Sequence, residues 1–295
     1  DSTQALELNT LPSSAVIIGA GAVALEFASL WNAAGCEVTL LIRKDRVLST
    51  WERRASMTLT RELKRRGVNV IARTAVDRVD TGANLGATVH YRQGVPNTDA
   101  DWFRSSGLKL DERGYVTVDG YGRTNLDGVW ALGDITPGHA LAHRAFEQGI
   151  TIAEKIAGAD PKPVIDDTVP QVVFSFPEAA SVGLTLDQAK ALEDVVEPKE
   201  TAYPMLSNAR MLMSGEGGSM TVVSGAFANN PDMQVVLGVH IVSPIASDLI
   251  AEAEQLVGNR VPLADAARLI HPHPTFSETL GEALLKADGR PLHTR

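Results

Sequence analysis

The chain has 295 residues, a formal net charge of −9 and a hydrophobic content of 44 %. That length suits two or three compact units, the apolar content excludes wholesale disorder, and the acidic balance argues against nucleic acid as the main partner. No apolar run reaches the roughly 18 residues of a membrane helix, Asp1-Ser2-Thr3-Gln4 shows no basic-then-apolar signal, and the single cysteine, Cys36, rules out an internal disulfide or a cysteine-rich metal site and suits a cytoplasmic setting.

The first stretch, residues 1–92, opens with the apolar run Ala15-Val16-Ile17-Ile18 and then Gly19-Ala20-Gly21. The pattern predicts a helix over 22–34, a strand over 38–42, a charged helix over 53–66 and a third strand over 68–71. This is the grammar of a parallel βαβ unit. Alternating pieces at 75–79 and 87–91 read as an antiparallel excursion. The second stretch, 93–160, holds strands expected at 115–118 and 128–134, the latter ending in Gly133-Asp134, and a helix over 140–156. The third, 161–295, follows the linker Asp160-Pro161-Lys162-Pro163. Strands are expected at 171–174, 219–223 and 235–242, the last two joined by a turn at Asn229-Asn230-Pro231-Asp232. Helices are expected at 246–256, 263–269 and 277–286. The fold class is therefore α/β, closing with an α+β unit.

Gly19-x-Gly21-x-x-Ala24 follows a strand and opens a helix. The first glycine permits a tight turn, the second lets a pyrophosphate approach the backbone, and the small Ala24 lets helix and strand pack closely. Free N–H groups at the helix start would face the phosphates. The plainer reading is a glycine-rich connection with no ligand. At the end of the second strand an NAD site places an acid for the ribose hydroxyls. This sequence has Ile42-Arg43-Lys44 instead, with Arg46 beyond. Two cations and no acid favour the 2′-phosphate of NADP over NAD; the alternative is a solvated basic loop.

His271-Pro272-His273-Pro274-Thr275-Phe276-Ser277-Glu278 carries the densest chemistry. Two prolines stiffen the loop and remove backbone donors, and either can take a cis bond. An imidazole on such a loop is a candidate acid/base. Glu278 could accept a hydrogen bond from one ring nitrogen, fix the tautomer and raise the basicity of the other. Thr275-x-x-Glu278 equally fits a capping box opening the last helix. His271-x-His273 lacks the further ligands a metal site needs. His143, in a helix, and His240, in a strand, read as packed or bonded side chains.

Together these residues resemble the pyridine nucleotide–disulfide oxidoreductases, and within them the dihydrolipoamide dehydrogenase branch. The matching segments are Asp1-Ser2-Thr3-x-Ala5-Leu6, Gly19-Ala20-Gly21-Ala22-Val23-Ala24-Leu25-Glu26 and Val129-Trp130-Ala131-Leu132-Gly133-Asp134. They continue with Leu141-Ala142-His143, Phe176-Pro177-Glu178-x-x-Ser181-Val182-Gly183, Leu237-Gly238-Val239-His240 and His273-Pro274-Thr275-x-Ser277-Glu278. The resemblance implies a Rossmann-like NAD(P)-binding domain over 1–92, the C-terminal part of an FAD-binding domain over 93–160, and a dimer-interface domain over 161–295. It implies that Asp134 binds the FAD ribityl chain and that Leu141, Ala142 and His143 lie against the flavin pyrimidine edge. Glu26 would be the acid near the nicotinamide, His273 the acid/base for the dithiol, and Glu278 its orienting carboxylate. In the family this histidine serves the partner subunit, which implies a homodimer.

Three departures stand against the family pattern. A first FAD-binding segment with its own glycine motif and a Cys-x₄-Cys pair is absent, and Cys36, in a helix-to-strand turn, cannot replace that pair; the chain is expected to lack the family's N-terminal part. A second gap is expected near Arg92-Gln93, where Pro96-Asn97-Thr98 arrives early. Ala24 with Arg43-Lys44 resembles the NADPH site of glutathione reductase. The expected function is electron transfer between NAD(P)H and a dithiol or disulfide through FAD. The alternatives are an NAD(P)H:quinone-type flavin reductase, or a non-catalytic nucleotide-binding and dimerisation fragment whose half site would hold FAD weakly.

Overall fold

The computed structural model describes residues 2–74, 103 and 105–294. They fall into two compact units, one within Asp1–Tyr91 and Pro170–Arg295, the other within Arg92–Val169. The excursion expected at 75–79 and 87–91 lies outside the described residues.

In the first unit a short helix α1 (Ser2–Leu6) precedes β1 (Ser14–Ile18), α2 (Ala22–Ala33), β2 (Glu37–Leu41), α3 (Arg53–Arg65) and β3 (Asn69–Ile71). The strands form a parallel sheet in the order β1-β2-β3. Leu25 and Ala28 of α2, Val38 and Leu40 of β2, and Leu59 and Leu63 of α3 are fully or almost fully buried in one cluster. Glu52 caps α3, accepting from the backbone N–H of Arg54 at 2.6 Å and of Ala55 at 2.7 Å. Lys64 and Arg65 close the helix. Acid at the start and base at the end both match the helix dipole.

The same unit contains a five-stranded antiparallel sheet in the order β4-β5-β8-β7-β6, from β4 (Gln171–Val173), β5 (Glu178–Gly183), β6 (Val195–Pro204), β7 (Ser219–Phe227) and β8 (Asn230–Ser243). Four helices accompany it: α5 (Leu186–Ala191), α6 (Ala209–Ser214), α7 (Ala246–Gly258) and α8 (Leu263–Ala266), followed by α9 (Glu278–Ala287). Residues 235–243 of β8 are buried without alternation, the mark of a strand covered on both faces. Val239 and Ile241 pack with Leu249, Ile250 and Ala253 of α7 and Leu280 and Leu284 of α9. Val242, Ala179 and Val173 instead join the cluster of α2 and α3. Arg54–Glu200 at 2.7 Å and Arg66–Glu216 at 3.1 Å link α3 to this sheet region. The first and third stretches of the sequence thus share a core.

The second unit holds α4 (Ala142–Ile156) and two short 3₁₀ turns, Gly133–Ile135 and Asp166–Thr168. The strands expected at 115–118 and 128–134 do not form; single bridges Leu110↔Val116 and Arg123↔Trp130 stand in their place. Two aspartates explain this. Asp111 accepts from the N–H of Arg113 and Tyr115, and Asp119 from that of Tyr121 and Arg123, all at 2.9 Å. Such side-chain bonds fold the backbone into tight turns in competition with a ladder. The expected turn at 229–232 is also displaced. Phe227 pairs with Asn230, so Ala228-Asn229 forms a two-residue turn. Pro231 belongs to β8 where the register slips, a place that tolerates a missing N–H. The helix expected over 263–269 is only the single turn of α8.

Candidate functional site

The turn after β1 is built on backbone geometry. Gly19 has φ +146°, and a Cβ there would lie 3.3 Å from that of Ala24. Its N–H donates to Leu41 O at 3.1 Å, and Ala20 O accepts from Leu48 N–H at 2.8 Å, so the turn is tied to β2 and the loop beyond it. Gly21 is the N-cap of α2, no side chain caps that end, and a Cβ at Gly21 would meet nothing within 4 Å. The leading N–H groups of a helix lack partners within it. The result is an open, donor-lined niche that fits a diphosphate, with no side chain occupying the space above Gly21.

Arg43 and Lys44 follow β2 and are exposed. Arg46 is committed elsewhere, to Asp45 at 3.1 Å and to Ser49 O at 3.0 Å. Glu26, on the second turn of α2, is bonded to the backbone that follows β4. Its Oε1 accepts from Phe174 N–H at 3.3 Å, while Ser29 Oγ accepts from Phe176 N–H at 3.3 Å. Helix α2 is thereby seated on the β4–β5 connection, where Phe176–Pro177 is cis.

The loop between α8 and α9 brings His273 and Glu278 together. His273 Nδ1 lies 2.8 Å from Glu278 Oε1, and Glu278 Oε2 accepts from Thr275 N–H at 2.8 Å. One carboxylate thus serves both the imidazole and the backbone. Only one arm of the expected capping box forms: the Thr275 hydroxyl bonds Pro272 O and Ser277 Oγ instead. The His273–Pro274 bond is cis. Burial opposes ionisation of Glu278, but the Thr275 N–H and the nearby His273 and His271 outweigh it and hold its pKa below the usual glutamate value. An ionised carboxylate can only accept, so Nδ1 of a neutral His273 must carry the proton. Its Nε2 lone pair is then free on a ring that is 69 % exposed.

In the second unit Asp134 sits in the Gly133–Ile135 turn and is exposed. Gly133 has φ +72°, its N–H donates to Gln148 Oε1 at 2.9 Å, and a Cβ there would lie 3.4 Å from Ala145. The turn therefore rests on α4. Leu141 is the N-cap of α4 without a side-chain cap, and Ala142 and His143 are its exposed first residues. Asp134 and the uncapped start of α4 are thus held by one helix, an arrangement that fits a polar group of a bound cofactor.

Three supporting residues have partners that the sequence does not indicate. Buried Arg144 binds Asp166 Oδ1 and Pro137 O, each at 2.6 Å, locking the 136–138 loop to α4. Buried Asn208 caps α6 through Met211 N–H at 3.0 Å and gives its amide to Thr275 O at 3.2 Å. His271 binds Glu252 of α7 at 2.9 Å.

A glycine-turn βαβ unit beside an antiparallel sheet, with an imidazole–carboxylate pair on the loop before the last helix, defines a class, and comparison with known proteins places it. The model described as pyridine nucleotide-disulphide oxidoreductase matches residues 1–149. That described as its dimerisation domain matches residues 169–284. The chain belongs to the pyridine nucleotide-disulphide oxidoreductase family. It is 36 % identical over 313 residues to a dihydrolipoyl dehydrogenase of Cupriavidus necator, covering 99 % of this chain and 64 % of that protein. A mitochondrial dihydrolipoyl dehydrogenase of Pisum sativum is 35 % identical over 312 residues, with 99 % and 60 % covered. Both alignments exceed the 295 residues of the chain, so these relatives carry residues inside the match that it lacks. The crystal structure of LpdA from Mycobacterium tuberculosis superposes with a TM-score of 0.83 at 29 % identity, covering 96 % of this chain and 63 % of that one. The flavoprotein disulfide reductase RclA from Escherichia coli shares the fold, with a TM-score of 0.80 at 23 % identity over 95 % of this chain and 66 % of that one. The chain spans about two thirds or less of the length of these proteins.

Proposed function

We propose that the protein is an FAD-dependent oxidoreductase of the dihydrolipoyl dehydrogenase kind, passing electrons between NAD(P)H and a dithiol or disulfide substrate as a homodimer in the cytoplasm. The observation that carries this reading is the His273–Glu278 pair at 2.8 Å on a proline-stiffened, exposed loop. With Nδ1 held by Glu278, Nε2 can take a proton from a thiol and return it. That is what dithiol–disulfide exchange requires, because the thiolate is the attacking species.

Residues 1–92 form the NAD(P) domain in this reading. Gly19, Gly21 and Ala24 leave room for the diphosphate, Arg43 and Lys44 supply charge for a 2′-phosphate, and Glu26 lies on the nicotinamide side. Residues 93–160 contribute Asp134 to the FAD ribityl chain and Leu141, Ala142 and His143 to the pyrimidine edge. Residues 161–295 form the dimer interface, in line with the match to a dimerisation domain, and His273 serves the neighbouring subunit. Bound flavin supplies two-electron exchange between a nicotinamide and a disulfide. Cys36 is not part of that chemistry: it is buried, and burial followed by the neighbouring Glu37 raises its pKa.

The test compares two half-reactions in flavin-loaded protein. His273→Ala should lower dithiol turnover by at least about 10²-fold, while reduction of an artificial dye by NAD(P)H stays near wild type. Equal losses in both assays would overturn the acid/base assignment.

A further inference from the structure

Three imidazole–carboxylate pairs occur in the C-terminal region: His271–Glu252 at 2.9 Å, His273–Glu278 at 2.8 Å and His293–Glu282 at 2.7 Å. The proposed function uses only the second. The first differs in its burial, with 9 % of the His271 side chain exposed against 69 % for His273, two residues along the same loop.

His271 reaches both helices that flank the loop. Its Nε2 meets Glu252 on α7. Its Nδ1 edge lies against Gly281 of α9 so closely that a Cβ at residue 281 would stand 2.6 Å from it. The loop's other end is held at Thr275, whose N–H goes to Glu278 and whose carbonyl accepts from Asn208. Between these points lie Pro272, His273 and Pro274, and the prolines offer no N–H for a further hold. The orientation of the His273 ring is therefore set from two ends, His271 and Thr275.

We infer that His271 is a positioning residue: its bond to Glu252, seated over Gly281, fixes the loop so that the His273 ring stays on Glu278. The inference rests on the reading of His273 and Glu278 as the acid/base pair and deepens it, since His271 itself touches no reacting group. The charged groups acting on His271 are Glu252 from α7 and Glu278 from α9; the segment after α8 contributes the Leu269 carbonyl. The hydrogen bond to Glu252 raises the His271 pKa, burial works against it, and the charge of Glu252 adds to the rise. A raised folded-state value means that the charge-assisted part of the anchor is fully present below about 6.5, the ordinary imidazole value, and is lost as pH rises through the folded one, leaving a neutral Nε2–H on Glu252. The loop should be held most firmly on the acid side of neutrality.

The test is a side-chain ¹⁵N NMR titration of the chain from pH 5 to pH 9, reading the pKa and tautomer of each histidine. Glu252→Gln, at a partly exposed position, should lower the His271 pKa and also cost His273 part of its Nδ1–H tautomer. Glu252→Asp should restore both. Gly281→Ala, which displaces the ring without altering charge, should produce the same loss at His273. If Glu252→Gln lowers the His271 pKa while the tautomer and titration of His273 stay as in wild type, the positioning role is wrong. Glu278→Gln tests the underlying pair separately, with Glu252 untouched. It must change the His273 tautomer directly, and if it does not, the acid/base reading falls and the inference with it.

Discussion

His240 offers the sharpest energetic test. It lies on β8, the central strand of the antiparallel sheet, in register with Ser181 of β5 and Thr221 of β7, all three buried. Its Nε2 is 3.2 Å from Leu184 O and its Nδ1 is 2.8 Å from Ser181 Oγ. A carbonyl can only accept, so Nε2 carries the proton and Nδ1 accepts from the Ser181 hydroxyl. Burial makes the charged form costly and lowers the pKa from 6.5 to about 4, although the Leu184 bond and Glu200 favour the cation. The unfolded chain binds this proton near pH 6.5 and the folded chain only near 4. Stability should therefore fall as pH drops through that window. At about 1.36 kcal/mol per tenfold, the span amounts to about 3 kcal/mol. Urea unfolding followed by circular dichroism at fixed protein concentration, in steps from pH 7.5 to pH 4, would measure it. His240→Gln should be less stable at pH 7.5 but flatter with pH by about 3 kcal/mol over the window. Carboxylates titrate in both proteins and cancel in the comparison. Parallel curves for wild type and variant would show that His240 is not held neutral, and the argument would fail.

Other consequences follow from the same geometry. Gly19→Ala forces a side chain into φ +146° and against Ala24, and should cost about 1–3 kcal/mol of stability. Gly21→Ala meets nothing within 4 Å, so the melting temperature should hold while NADPH affinity, read by titration calorimetry, drops about tenfold or more. That drop corresponds to about 1.4 kcal/mol, and unchanged affinity would count against the diphosphate niche. Arg43→Ala with Lys44→Ala should erase a preference for NADPH over NADH, by roughly tenfold per lost charge-assisted bond; an unaltered ratio of KM values would remove their role. Asn208→Ala loses a helix cap and the bond to Thr275 O, and should lower unfolding free energy by about 2 kcal/mol.

The parts legible in the sequence were those whose causes are local. A glycine turn, its preceding strand and its following helix are neighbours along the chain, so the niche at Gly19–Ala24 could be read from spacing alone. The same holds for His273 and Glu278, five residues apart. Strands were harder wherever the partner decides. Residues 115–118 and 128–134 have strand-like composition, yet Asp111 and Asp119 turn the backbone before a ladder can form. Conversely, the composition of β5 and β6 does not mark them as strands. Ala179 to Val182 in β5 are buried on both faces and show no alternation.

Chain chemistry by itself determined the acidic balance, the open glycine turn and the presence of an imidazole beside a carboxylate. Tertiary structure alone decided what holds that imidazole in place. Glu252 is 19 residues from His271, and Asn208 is 67 residues from Thr275. Pattern reading cannot reach such pairs, because they meet only after the antiparallel sheet has brought α6, α7 and α9 around one loop. The shared core of the first and third stretches has the same origin: apolar faces far apart in sequence leave water together, and the burial that rewards this is non-directional.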